Sequence, residues 1–407
     1  MYRCTLLAAA ALAACAPAPA PIAPAPAMAG VRPGVEVFAA RPPAVLQGKR
    51  VGLLTNHSGI TRERRSTIDV LAGTPGLQLV ALFSPEHGIR GVAAEGEHVA
   101  SGRDETTGLP IHSLYGATRK PTPAMLEGID ALVFDMQDVG ARQYTYVYTM
   151  ALGMQAAAEK KIPFVVLDRP NPITGEIIEG GLLEPSHASF VGMYPIPSRH
   201  GMTVGELARL FNQRFGIGAD LTVVPVEGWL RAQWFDETGL PWVNPSPNLR
   251  RLEAAIHYPG TVYFEGTNLS EGRGSEMPFE QTGAPWLDAS AVAAEMNALK
   301  LPGVRFEPVR FAVAEKANKF PGQTIPGVRL VLTDRNSYRP LRASLLLIDA
   351  IRRRHPQQFQ WSGSLTRLAG TERLRQAAEA GTLPALLTEW EREAEAFRMA
   401  RQGFLLY

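Results

Sequence analysis

The chain has 407 residues, with 41 Lys and Arg set against 39 Asp and Glu for a formal charge of +2. That near balance, with both signs interspersed, argues against nucleic acid as a partner. The cysteines, Cys4 and Cys15, lie near the start of the chain, so neither a disulfide framework nor a thiolate metal site is expected, and any catalysis must use oxygen, imidazole or amine groups.

Arg3 opens a short charged region, and an apolar run from Leu6 to Ala14 ends at Leu12-Ala13-Ala14-Cys15. The run matches a secretory signal and is too short to span a bilayer. Small residues followed by Cys form a lipoprotein cleavage box, so residues 1–14 are expected to be removed and Cys15 lipidated. Acyl chains add roughly 0.8 kcal/mol per buried CH₂, and more than one makes a stable anchor. Ala16 rather than Asp follows the Cys, which points to export across the inner membrane and anchoring at the periplasmic face of the outer membrane. Residues 15–35 are rich in Ala and Pro, an extended tether that cannot build a core. No second long apolar stretch follows, so the lipid is the expected membrane contact.

From residue 36 to about 215 short apolar runs alternate with helical patterns. Strands are expected at Val51–Thr55, Leu77–Phe83, Ala131–Phe134 and Phe164–Leu167. Helices are expected at Ser66–Leu71, near Pro123–Leu126, at Thr145–Glu159 and at Val204–Phe215. Alternation of this kind predicts an α/β fold, a parallel sheet covered on both faces. A smaller α/β domain is expected over 216–407, with strands at Leu221–Pro225, Tyr258–Phe264, Val304–Val313 and Val328–Leu332. Its helices are expected at Asp288–Leu299, Leu341–Arg354, Thr371–Ala380 and Leu383–Phe397. The basic run Arg352-Arg353-Arg354 ends one of these and reads as a solvated face.

Polar residues crowd after each strand of the first half: Asn56-His57-Ser58, Ser84-Pro85-Glu86-His87-Gly88, then Asp135, Gln137 and Asp138, then Asp168-Arg169-Pro170-Asn171-Pro172. The carboxyl ends of parallel strands share one sheet edge, where ligands bind. Dinucleotide, P-loop, serine-elbow and H-E-x-x-H signatures are absent, and the His spacings fit no standard zinc set, so neither cofactor nor metal is expected. Carboxylates remain. Glu86 sits in a tight Pro-Glu-His-Gly turn that could aim it as a general acid; Asp135 or Asp138 could support the acid, bind substrate or cap a helix. Asn171 between prolines reads as a hydrogen-bonding shelf. Arg199-His200-Gly201 and the glycine-punctuated run from Glu265 through Asn268, Glu271 and Arg273 to Gly274 suit a hydroxyl-rich or acidic ligand.

The strings Phe83–Gly88, Phe134–Arg142, Asp168–Pro172 and Glu265–Gly274 closely resemble the exo-β-N-acetylmuramidase family, from about Val51 to the C-terminus. The resemblance implies a Rossmann-like domain, a smaller C-terminal domain and a glutamate-bearing cleft between them. The implied activity is release of N-acetylmuramic acid from the non-reducing ends of peptidoglycan fragments. Glu86 then matches the family's motif glutamate as the acid, and Glu179 its Glu-Gly segment as the second carboxylate, with Asp135 or Asp138 as rivals; Asn56, His87, Arg142, Asn171, Arg199, His200, Asn268, Glu271 and Arg273 are substrate-binding candidates. Arg142, Arg199 and Arg273 are candidates for the lactyl carboxylate of the sugar. Ser275-Glu276-Met277 departs from the family's Thr and basic residue. The alternative reading is an anchored murein-binding protein that keeps the cleft without turnover.

Overall fold

The computed structural model describes residues 30–93 and 96–407. The leader, Cys15 and most of the expected tether lie outside the described residues. The tether's end is already part of the fold: Val31 is buried, and Arg32 bridges to Glu227 through backbone and side chain.

The first domain is a seven-stranded sheet. Its strands are β1 (Lys49–Thr55), β2 (Leu77–Ser84), β3 (Gly102–Arg103), β4 (Pro110–Ser113), β5 (Ala131–Asp135), β6 (Phe164–Leu167) and β7 (Leu221–Val224). The spatial order is β3-β4-β2-β1-β5-β6-β7, and every pairing is parallel except β3 with β4. Helices α1 (Gly34–Ala40), α2 (Thr67–Ala72), α3 (Tyr146–Lys160) and α4 (Val204–Arg214) cover it. β1, β5 and β6 are apolar almost throughout because both of their faces are covered. The seventh strand lies past the boundary expected near 216, so the parallel sheet runs further along the chain than its sequence indicated.

Three strands, β8 (Gln281–Gly283), β9 (Val304–Ala312) and β10 (Thr324–Leu332), form the second sheet, antiparallel in the order β8-β10-β9. Helix α6 (Ala289–Ala298) packs on this sheet, and the domain also carries α5 (Leu252–Thr261), α7 (Pro340–Arg354), α8 (Leu365–Ala369), α9 (Arg373–Glu379) and α10 (Leu383–Ala400). Arg352 and Arg353 pair with Asp349, and Arg353 and Arg354 with Glu295, so the basic run is a charge-matched helix end.

Two expected elements differ. Tyr258–Phe264, read as a strand, is instead the end of α5 and a 3₁₀ turn at Val262–Gly266. Every residue from Ala254 to Phe264 is buried, so the run shows no helical periodicity, and its β-branched and aromatic content mimics a core strand. Pro123–Leu126 forms turns rather than a helix.

Candidate active site

A cavity of about 390 Å³ opens where the carboxyl edge of the first sheet meets the second domain. The first domain supplies Glu86 and His87 from the loop after β2, Tyr115 and Arg119 from the loop after β4, and Gln143, Tyr144 and Thr145 leading into α3. The second domain supplies Tyr258, Glu265, Arg273, Phe279 and Arg367.

Glu86 is aimed by its own turn. His87 has φ 68° and Gly88 φ 75°, two consecutive left-handed residues that reverse the chain just after β2. Thr145, at the start of α3, spends its hydroxyl on Glu86 rather than on its own helix: Oγ1 donates to Glu86 Oε2 at 2.8 Å. The backbone N–H of Gly96 donates to Glu86 Oε1 at 3.0 Å. The Tyr115 phenol faces the same carboxylate; burial, joined by the charge of Glu86, pushes it up to about 12. His87 Nδ1 lies 2.7 Å from the Ala93 carbonyl, which fixes that nitrogen as the donor.

Glu265 is the second carboxylate of the cleft. It stands on the 3₁₀ turn after α5, and Arg273 Nη1 donates to its Oε1 at 2.6 Å. Burial raises Glu265 above the ordinary glutamate range even though Arg273 opposes the shift. The neighbouring Glu271 is lowered: burial resists, but Lys319, 3.0 Å from its Oε2, and Arg273 prevail. Gly272 and Gly274, at φ 82° and 79°, flank Arg273, which lies over the Phe279 ring at 4.8 Å. The loop thus holds two glutamates in opposed electrostatic states on one guanidinium.

Of the residues singled out in the sequence, Glu86, His87 and Arg273 line the cleft, and Glu271 stands behind Arg273. The others do not line it. Asp135 is wholly buried, bridged by both Arg169 nitrogens and by the Thr67 hydroxyl. Asp138 accepts from the Gly140 N–H at 2.7 Å and lies 3.3 Å from His200 Nε2. Glu179 pairs with Arg199 at 3.1 Å and caps α7 by accepting from the Leu341 N–H at 3.2 Å, against a separate cavity of about 170 Å³. Burial raises its pKa although the Arg199 charge opposes the shift. Arg142, fully buried, donates to the carbonyls of Leu368 and Ala369. Asn56 braces Ser58, Asn171 ties Met202 to Ile173, and Asn268 clamps the carbonyl of Gln358 and the N–H of Gln360. Trp229, Trp234, Tyr263 and Phe264 are core.

Sequence reasoning did not place Glu265 in the cleft as its second carboxylate, nor Tyr115, Arg119 and Arg367 beside it. Glu265 was visible only as the first polar residue of a noted run, adjoining a segment read as a strand. Tyr115 and the two arginines sit in no polar cluster, and only the folded chain gathers them. Among the described residues no group of His, Cys, Asp and Glu is arranged to hold a metal ion, and no helix is long and apolar enough to cross a membrane.

Comparison with known proteins gives the lineage. Residues 51–253 match the profile of the N-terminal domain of exo-β-N-acetylmuramidase NamZ, and residues 256–407 that of its C-terminal domain. The peptidoglycan β-N-acetylmuramidase NamZ of Bacillus subtilis (strain 168) is 46% identical over 380 residues, covering 93% of this chain and 91% of the relative. The crystal structure of a DUF1343 family protein from Bacteroides fragilis NCTC 9343 superposes with a TM-score of 0.86 at 34% identity, covering 94% of this chain and all of that one. A second from the same strain gives 0.72 at 32% identity, covering 93% and 99%. With both domain profiles matched end to end and a relative this similar over nearly its whole length, the chain belongs to the exo-β-N-acetylmuramidase family of glycoside hydrolases.

Proposed function

We propose that the protein hydrolyses the terminal β-N-acetylmuramyl bond of peptidoglycan fragments, with Glu86 and Glu265 as its two reacting carboxyl groups. The observation that carries the reading is their joint presence in one cleft, on opposite domains, in different environments. Glycoside hydrolysis needs one carboxyl to protonate the departing oxygen and another to act as base or nucleophile. Glu265, raised by burial, is suited to carry the proton. Glu86, an acceptor from the Gly96 N–H and the Thr145 hydroxyl, is suited to the second role. This reverses the role expected for Glu86 from its sequence context and keeps its place in the chemistry.

The test uses a nitrophenyl β-N-acetylmuramide, the corresponding N-acetylglucosaminide, and a muramyl-terminated disaccharide with a poor leaving group. The expected result is release from the muramyl compounds only. Glu86→Gln should remove activity on both, whereas Glu265→Gln should lose at least about 100-fold on the disaccharide and much less on the nitrophenyl compound, which needs no proton. Equal loss on both compounds would refute the assignment of the acid. Binding without release by the unaltered protein would make it a murein-binding protein instead.

We propose also that the chain is exported and anchored through Cys15 in the outer membrane, as its leader implies. Metabolic labelling with a palmitate analogue should tag the protein and fail to tag Cys15→Ala; an untagged parent would refute the anchor.

A further inference from the structure

Two arginines of the cleft have no assigned task. Arg119, in the loop after β4, lies over the Phe190 ring at 4.2 Å and the Tyr115 ring at 5.1 Å. Arg367, on α8, faces the same space from the second domain. Both are exposed, and among the described residues neither pairs with a carboxylate. The remaining arginines named for binding are committed elsewhere. Arg273 is held by Glu265 and Glu271, Arg199 by Glu179, and Arg142 by backbone carbonyls.

Neither unpaired arginine is loosely placed. Stacking on two rings confines the Arg119 guanidinium while leaving its donors free at the edge. Arg367 is carried by a segment whose next carbonyl, Leu368, accepts from Arg142 and from Gln143 Nε2 at 2.9 Å, so the first domain positions it. Both guanidiniums lie close enough to the Tyr115 phenol to oppose the upward push of burial and of Glu86. The two cations and the catalytic Glu86 therefore converge on one side chain.

We propose that Arg119 and Arg367 together grip the lactyl carboxylate of the terminal sugar, and that this pair, rather than Arg273, makes the enzyme specific for a muramyl residue. The inference rests on the proposed muramidase activity. The lactyl ether hangs from O3, two ring carbons from the anomeric carbon, so its carboxylate enters the cleft with the reacting bond, and both arginines line that cleft with Glu86. A guanidinium fork matches a carboxylate with two parallel hydrogen bonds, and two forks from facing walls satisfy both oxygens. N-acetylglucosamine, lacking the lactyl group, leaves both cations uncompensated and is rejected.

The experiment measures kcat/KM on nitrophenyl β-N-acetylmuramide and on its lactyl methyl ester, for the unaltered protein and for Arg119→Met, Arg367→Met and the double variant. The unaltered enzyme should favour the acid over the ester by on the order of 100-fold, and each single variant should lose about tenfold of that preference. In the double variant the ratio should fall towards one, and Arg→Lys at either site should restore part of it. A double variant that cleaves the acid with an unchanged acid-to-ester ratio would overturn the proposal while leaving the muramidase reading intact. Variants weakened only on peptide-bearing fragments would overturn it too, because the carboxylate gripped would then belong to the stem peptide. If the unaltered protein cleaves neither compound nor a muramyl disaccharide, the failure lies with the muramidase activity itself.

Discussion

Thr145 and Asp168 show how single side chains divide between chemistry and fold. Thr145 gives its hydroxyl to Glu86. Thr145→Val should therefore lower kcat with little change in unfolding temperature, a loss of about tenfold for a hydrogen bond to a charged group. Asp168 works for the fold. It is wholly buried and accepts from the Thr203 hydroxyl, the Gly205 N–H and the Tyr407 hydroxyl at 2.7–2.8 Å, yet burial raises it to about 7. A raised carboxyl binds more protons in the folded than in the unfolded state across the window from its ordinary value near 4 up to about 7. Stability therefore falls as pH rises through that window, on the order of a few kcal/mol. Asp168→Asn should flatten this slope, as read from denaturant unfolding between pH 4 and 8. Glu265 is raised in the same direction, so with Glu265 as the proposed acid kcat/KM should decline as pH rises through a value above that of an ordinary glutamate.

At the scale of elements, the carboxyl edge of the sheet was legible and its occupants were only partly so. β1, β2, β5 and β6 fall where their apolar runs indicated, since parallel strands buried on both faces write themselves as continuous Val, Ile and Leu. Helix α4 announces itself by Thr203 and Glu206, which form a reciprocal cap in the structure. Thr203→Ala should cost about 1–2 kcal/mol in unfolding free energy, the upper end because its hydroxyl also serves Asp168. Most of the polar residues crowding that edge face one another rather than the cleft. Asp135, Asp138, Asn171 and Arg199 tie loops to one another through buried hydrogen bonds. Turn chemistry and active-site chemistry draw on the same residue types, so their crowding marks the edge without separating the two.

Across the whole molecule the domains are joined by buried polar contacts and by the chain's end. Arg142 reaches from the first domain to the carbonyls of α8, and the C-terminal Tyr407 returns to Asp168 while packing edge-on against Trp229. Arg142→Met takes a donor from both carbonyls and leaves Leu368 with Gln143 alone. It should destabilise the protein by about 2–4 kcal/mol and also reduce kcat/KM, because α8 carries Arg367 into the cleft. Unfolding and kinetics measured on the same sample check both effects, and a stability loss with unchanged kcat/KM would show that α8 is held by other contacts.

The sequence by itself determined the α/β class, the sheet core and the family, and it put Glu86 at the carboxyl edge of the sheet. These depend on local patterns: apolar runs, a Pro-Glu-His-Gly turn, and long ordered motifs. Only the tertiary structure decided the partner of Glu86 and the basic face of the site. Glu265, Tyr115, Arg119 and Arg367 come from four separate segments on two domains, and their nearness is set by how the second domain closes over the sheet edge. Burial made the same decision for Glu179 and Asp135. Whether a glutamate caps a helix or faces a substrate depends on which surface covers it, and that is a property of packing rather than of neighbours along the chain.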